Sequence, residues 1–256
     1  MCIHSSLKNV PKPHVIFKCT ETKSGKDWDA AEQALWDPDV VVDFHPTAYV
    51  DTDTNLMGLQ EVMKPVNSGL AELGLKGVYF EDNYTAHKTE RVAEYWSTEL
   101  SQFKSPYYFP PNLTMSLQPI DAGIGLLYKN KVYEVLRNEI YRRERDAIKE
   151  NRQIQKLSAK QKRILVTKAV GMVHREMLKL CLDIEARGDD MMSFPFYRSF
   201  VKTGTYVPIA HLASTPTPPS YKSMTNLISV QHFEHIRYDD YLNKEELKHW
   251  QEEHII

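Results

Sequence analysis

The chain has 256 residues, 42% of them hydrophobic and 26% charged, with a formal net charge of -2; this composition excludes disorder throughout and suits one large domain, with or without an appendage. No apolar stretch approaches the length of a bilayer span, and Met1 to Pro13 mixes Lys, His and Pro, which excludes a membrane-spanning or secreted reading. Three scattered cysteines, Cys2, Cys19 and Cys181, form no CxxC and argue against a disulfide framework or zinc site, so a reducing compartment is expected and any affinity for nucleic acid must come from local patches of charge.

Taken in chain order, four short β-branched or aromatic runs predict strands: His14 to Phe17, Val40 to Phe44, Gly77 to Phe80 and Pro106 to Phe109. Between the second and third, Leu56, Leu59, Val62, Met63, Val66 and Leu70 recur at helical spacing behind a Thr52/Asp53 cap, predicting an amphipathic helix over 53–75. Val92, Tyr95, Trp96 and Leu100 predict a second helix over 89–103. The order of elements implies a mixed α/β sheet, at least partly parallel and covered by helices. Asp27, Asp29 and Glu32 fall in a segment that reads as an exposed loop.

From Gly123 the chain turns helical, with long helices expected from there to about Arg152 and from Ser158 to about Arg187. Residues 129 to 168 hold 13 Lys and Arg against 5 Asp and Glu, a local basic excess in a net-acidic chain. Two readings stay open for it: a solvated helix face with internal ion pairs, such as one near Glu144 and Lys149, or a surface for the nucleic-acid backbone through Lys129, Lys131, Arg142, Arg143, Lys160, Lys162 and Arg163. Thr203 to Tyr221, rich in Thr, Ser and Pro, reads as a linker, and Asp239 to Ile256 as a short, charged, peripheral helix. The expected organisation is a partial catalytic-type domain over 1–150, a helical extension over 151–205, and linker plus terminal helix over 206–256.

Two constellations could carry chemistry. In the first, an apolar strand ends in Glu81, Asp82 and Asn83, with His87 opening the next helix; acids at the C-terminal end of a sheet strand sit where α/β sites form, although an Asx turn is the plainer use of Asp82 and Asn83. In the second, a strand and a Pro-rich turn lead to Asp121, which sits where a helix begins and, by itself, is an ordinary candidate N-cap.

Together, the strand with Asp82-Asn83 and His87, followed by Pro110-Pro-Asn-Leu-Thr and Leu117-Gln-Pro-Ile-Asp-Ala-Gly123, resemble the stretch from second to third acid of pogo/Tigger-like DDE transposases, relatives of centromere protein B. Looser similarity runs through Lys12 to Lys18, Pro38 to Asp51, Leu157 to Lys168 and Phe196 to Gly204. The resemblance implies an RNase H-like fold, with Asp82 and, 39 residues further on, Asp121 as catalytic acids and ligands of Mg²⁺ or Mn²⁺. Asn83 could orient a carboxylate or the scissile phosphate and His87 could contact phosphate, with a packing or capping role equally open for both.

In that family the first acid and first strand lie upstream of the segment matched here, so the resemblance implies an N-terminally truncated domain that lacks one acid of three and has little nuclease activity alone. Loss of a central strand implies exposed sheet edges and self-association. DNA as partner and the nucleus as location (the cytoplasm otherwise) follow from the same substrate class. The alternatives are a non-catalytic DNA-binding remnant and a protein-interaction remnant.

Overall fold

The computed structural model describes residues 11–104, 106–109, 118–187, 199, 200 and 203. The chain divides into two compact units, Met1–Phe200 and Val201–Ile256; the elements below belong to the first. The linker and terminal helix expected beyond Thr203, and the Pro-Pro-Asn turn at 110–112, lie outside the described residues.

The first sheet is built on β3 (Val41–His45), which pairs in parallel with β1 (His14–Lys18) and antiparallel with β2 (Lys23–Ser24), giving the order β1-β3-β2. A fully buried Asp43 sits in the middle of β3. Its Oδ2 lies 2.7 Å from His14 Nε2 on β1, and its Oδ1 accepts the Gly25 N–H at 3.1 Å, so one carboxylate links three successive segments. Gly25 is required there, because a Cβ would stand 2.2 Å from the Val42 carbonyl oxygen. The sequence does not announce β2, since two residues are too few to display strand periodicity.

In the segment between β2 and β3, Asp27 and Asp29 are exposed as expected, whereas the loop reading is corrected, and so is the exposure of Glu32. The segment forms a 3-10 turn (Gly25–Asp27) and a short helix α1 (Ala30–Gln33), with Asp29 capping α1 through the Glu32 N–H at 2.6 Å. Glu32 itself is buried.

The predicted helix after β3 is present as α2 (Thr52–Gly58) and α3 (Lys64–Glu72), joined by a π-helical turn over Leu59–Met63. Asp51, rather than Thr52 or Asp53, caps it in a reciprocal capping box with Thr54. The π turn has a local cause: Pro65 has no N–H, and its ring would strike the carbonyl four residues back, so the Lys64 N–H bonds to Leu59 O instead and opens the turn. Helix α4 (Glu90–Glu99) begins close to its predicted start and ends short of Phe103 because the backbone leaves helical geometry at Leu100 (φ -117°, ψ 44°); Thr85–Lys88 form a separate 3-10 turn before it. Leu59, Val62 and Met63 bury against Val92, Trp96 and Leu100, and Tyr79 and Phe103 close this cluster from the strand side. The remaining strands, β4 (Phe80–Glu81) and β5 (Tyr107–Tyr108), pair in parallel as a second, separate sheet. The architecture is therefore mixed α/β, with two small sheets in place of the single one expected.

The C-terminal part of this unit consists of α5 (Gly125–Lys149) and α6 (Ala159–Arg187). Four residues of α6 spaced by four, Arg163, Thr167, Gly171 and Arg175, form a ridge against the segment that precedes β3. Arg163 Nε and Nη2 donate to Glu32 Oε1 and Oε2 at 2.7 and 2.8 Å, and its guanidinium lies 5.0 Å over the Trp28 ring, which stacks on buried Phe44. The Thr167 hydroxyl accepts the Asp37 N–H at 3.3 Å. Arg175 clamps Asp37 with two donors at 2.8 and 2.9 Å and reaches Asp39 at 2.6 Å.

Breaking a buried ion pair by removing one member leaves an uncompensated charge, at a cost of about 3–5 kcal/mol. Arg163→Met is therefore expected to lower the urea midpoint by a loss on the order of 3 kcal/mol, with Glu32→Gln in the same chain recovering part of it. A midpoint unchanged by Arg163→Met would show that the pair does not hold the two segments together. Hydrogen bonds from Arg163 hold the Glu32 carboxyl below its ordinary value of 4.5. That stabilisation is present above 4.5 and lost as pH falls through the depressed folded-state value, so the variant's acid arm should be shallower.

Gly171→Ala supplies a second test. The added methyl would stand 2.1 Å from Asp37 Cγ, so the variant should lose stability even though Ala is favoured over Gly in a helix by about 1 kcal/mol. A gain in thermal midpoint would mean that α6 sits further from Asp37 than described.

Candidate functional site: the acid–histidine cluster at the end of β4

Strand alternation separates the side chains of β4. Phe80 packs on Tyr107 and Phe109, with ring centroids 5.8 and 5.7 Å away. Glu81 turns to the other face with Tyr79, whose ring packs 4.8 Å from Trp96, and is only 6% exposed. The pairing with β5 fixes this geometry: Tyr107 N–H donates to Tyr79 O and Phe109 N–H to Glu81 O, each at 2.9 Å.

After the strand the chain folds back through the 3-10 turn, where the His87 N–H donates to Tyr84 O at 3.1 Å. His87 thus sits ahead of α4 in this turn, rather than opening the helix. Its Nδ1 is carried to 2.7 Å from Asp82 Oδ1 and 3.3 Å from Glu81 Oε1. Neither approach has the angle of a completed hydrogen bond, so the attraction is chiefly electrostatic. Tyr84 meets the imidazole edge-on at 5.6 Å, and the Tyr108 hydroxyl donates to the His87 carbonyl at 3.0 Å.

Burial, and then the negative charge of Asp82, push the Glu81 carboxyl up to about 8. Burial lowers His87 from its ordinary value, with Asp82 pulling the other way. The strand end therefore holds a protonated carboxylic acid beside a carboxylate and an imidazole near neutral pH, a set able to give and take protons. With Nδ1 facing carboxylate oxygens, that nitrogen carries the ring proton, an assignment made from its neighbours.

Of the residues singled out from the sequence, the structure brings Asp82 and His87 together. Asn83 follows directly, and its side chain makes no hydrogen bond to a described residue. Asp121 is exposed within a π-helical turn over Ile120–Ile124, just before α5; the N-cap of that turn is Pro119, so Asp121 is not a cap. Among the described residues no three His, Cys, Asp or Glu side chains are arranged to hold a metal ion. Among the described residues, Asp82 and Asp121 are not part of such a group. Glu81, which the sequence placed in this constellation without a role, is the further member of the cluster, and its burial had a signal: it lies two positions from Tyr79 on the same inward face.

The basic candidates divide. Arg163 is engaged inside the fold with Glu32, a correction to its place among surface contacts. Arg142 pairs with Glu139 and Asp146, Arg143 with Glu139, and Lys160 lies 3.8 Å from Asp29. The helix-internal pairs are these, not one near Glu144 and Lys149. Lys129, Lys131 and Lys162 make no ion pair among the described residues.

No protein-family model, curated protein or solved structure matches the chain.

The raised Glu81 value has a sign that can be checked. A carboxyl that binds its proton more tightly folded than unfolded adds stability below its ordinary value of 4.5, and this is lost as pH rises toward 8. Glu81→Gln should remove that decline, so its stability relative to the parent chain should grow across this window in urea melts at stepped pH. An unchanged difference between pH 5 and 8 would mean that Glu81 is solvated.

Proposed function

We propose that the chain is a nucleic-acid-binding protein derived from a DDE-type endonuclease or transposase, with Asp82 and Asp121 in the positions of two of the family's three acids. The observation that carries this reading is the location of Asp82: it directly follows β4, at the C-terminal end of a parallel strand pair, with a helix leading away from it. Asp121, the partner that the resemblance names, stands at the turn leading into the long helix α5. Carboxylate oxygens at these places suit Mg²⁺ or Mn²⁺. The described side chains do not complete a metal-holding group, so the proposal gives this chain binding rather than cleavage as its activity. A third carboxylate from elsewhere would be needed for phosphodiester chemistry.

Binding is assigned to phosphate contacts by those of the cations singled out from the sequence that no acid engages among the described residues, Lys129, Lys131 and Lys162. Such contacts read charge and not sequence.

The test pairs two measurements on the full chain. Duplex DNA binding followed across salt concentration should weaken in the Lys129→Glu, Lys131→Glu, Lys162→Glu variant, with a slope shallower by roughly 0.9 for each phosphate that is no longer neutralised; Asp82→Asn should leave the slope unchanged. Supercoiled-plasmid nicking with Mg²⁺ or Mn²⁺ should be absent from the parent chain and from Asp82→Asn, Asp121→Asn alike. Nicking by the parent that disappears in the double variant would reveal a working centre completed by a further acid. DNA binding that is absent or insensitive to salt would overturn the proposal.

A further inference from the structure

Helix α5 is 25 residues long, about 37 Å at the usual rise, and one side of it is already occupied. Ala147, two turns beyond Ile140 and at the edge of the face described next, is buried, and so on the far side is Tyr128, whose hydroxyl donates to the Val170 carbonyl of α6 at 3.0 Å. On the opposite side run Tyr133, Ile140, Tyr141 and Ile148, which are 60%, 40%, 60% and 69% exposed. Four large apolar groups in one stripe over four turns are more than a solvated helix face ordinarily presents.

The order of residues along this stripe identifies what fits it. Tyr133, Arg137 and Ile140 are spaced by four and then three; Tyr141, Glu144 and Ile148 by three and then four. The stripe is thus a palindrome about the Ile140–Tyr141 bond. A two-fold axis crossing the helix there lays two copies of α5 antiparallel. Tyr133 of one copy then meets Ile148 of the other, Ile140 meets Tyr141, and Arg137 meets Glu144, the last pairing being made twice.

The charges on the helix agree with this arrangement. Glu139, Arg142, Arg143 and Asp146 satisfy one another within α5, whereas Arg137 and Glu144 make no ion pair among the described residues. On the stripe itself, the charges without an ion pair among the described residues are one of each sign, Arg137 and Glu144, in the two positions that symmetry exchanges. Alternating spacings of three and four are also those by which packed helices interlock side chains. Nucleic acid does not suit this surface, which is apolar and carries an acid near its centre.

We propose that this face of α5 is an isologous dimer interface, its partner a second copy of the same chain in antiparallel register, with reciprocal Arg137–Glu144 pairs flanking the apolar groups. The interface is independent of the nuclease-derived reading and uses none of the strand-end residues.

Sedimentation equilibrium on the full chain tests it. The parent should show a concentration-dependent monomer–dimer equilibrium. Arg137→Glu alone puts two acids face to face at both symmetric positions, and Glu144→Arg alone does the same with two cations; each should weaken the dimer roughly tenfold or more. An equimolar mixture of these two variants restores opposite charges at both positions, so it should recover the parent's affinity, as should the double swap within one chain. Ile140→Glu with Tyr141→Glu should abolish the dimer and, at concentrations where the parent is monomeric, leave the thermal midpoint unchanged, because both side chains are exposed in the single chain. A chain that is monomeric at every concentration, as it would be if another of its own segments covered the stripe, overturns the proposal. So does a dimer indifferent to these substitutions, or a mixture that fails to recover.

Discussion

The rest of this unit depends on one row of contacts along α6. Arg163, Thr167, Gly171 and Arg175 succeed one another at the spacing that aligns side chains into a ridge, and each meets a group between β2 and β3. The two outer members are bidentate guanidinium–carboxylate pairs, a geometry that fixes direction as well as distance. Between them the Thr167 hydroxyl holds a backbone N–H, and Gly171 leaves the room in which Asp37 can approach. The partners stand 130 or more positions apart in sequence, so charge pairing joins the basic second half to the segment before β3.

This pairing changes what the basic excess means. Counted along the sequence, residues 129 to 168 look like one positive surface. In the fold, Arg163 neutralises Glu32, Arg142 and Arg143 share Glu139, and Lys160 approaches Asp29. What remains for an external phosphate is a smaller set of lysines, and what remains on the outer side of α5 is largely apolar. A single helix can thus present one side to α6, flanking cations to solvent and a third side to a partner, because 3.6 residues per turn distribute neighbours in sequence over all directions.

At the end of β4, three titratable groups sit within contact distance of one another. The parallel pairing with β5 holds Glu81 inward, the 3-10 turn returns His87 to the strand, and burial shifts the proton affinities of both. The arrangement is a local product of strand, turn and helix. Among the described residues, the group facing the Asp82 carboxylate at 2.7 Å is the His87 imidazole.

The sequence by itself determined the mixed α/β class, the four main strands and the long helices to within a few residues, because hydrophobic periodicity and turn residues act locally. It also marked Asp82 and His87 as neighbours, since a strand end and the turn after it lie only five residues apart. It did not foretell the two-residue β2, the division into two sheets, the π turn before Pro65 or the burial of Glu32. The tertiary structure decided those, and it decided which charges are engaged inside the protein. An ion pair such as Glu32–Arg163 leaves no periodic trace in either segment, because its two halves are brought together only when the chain between them has folded.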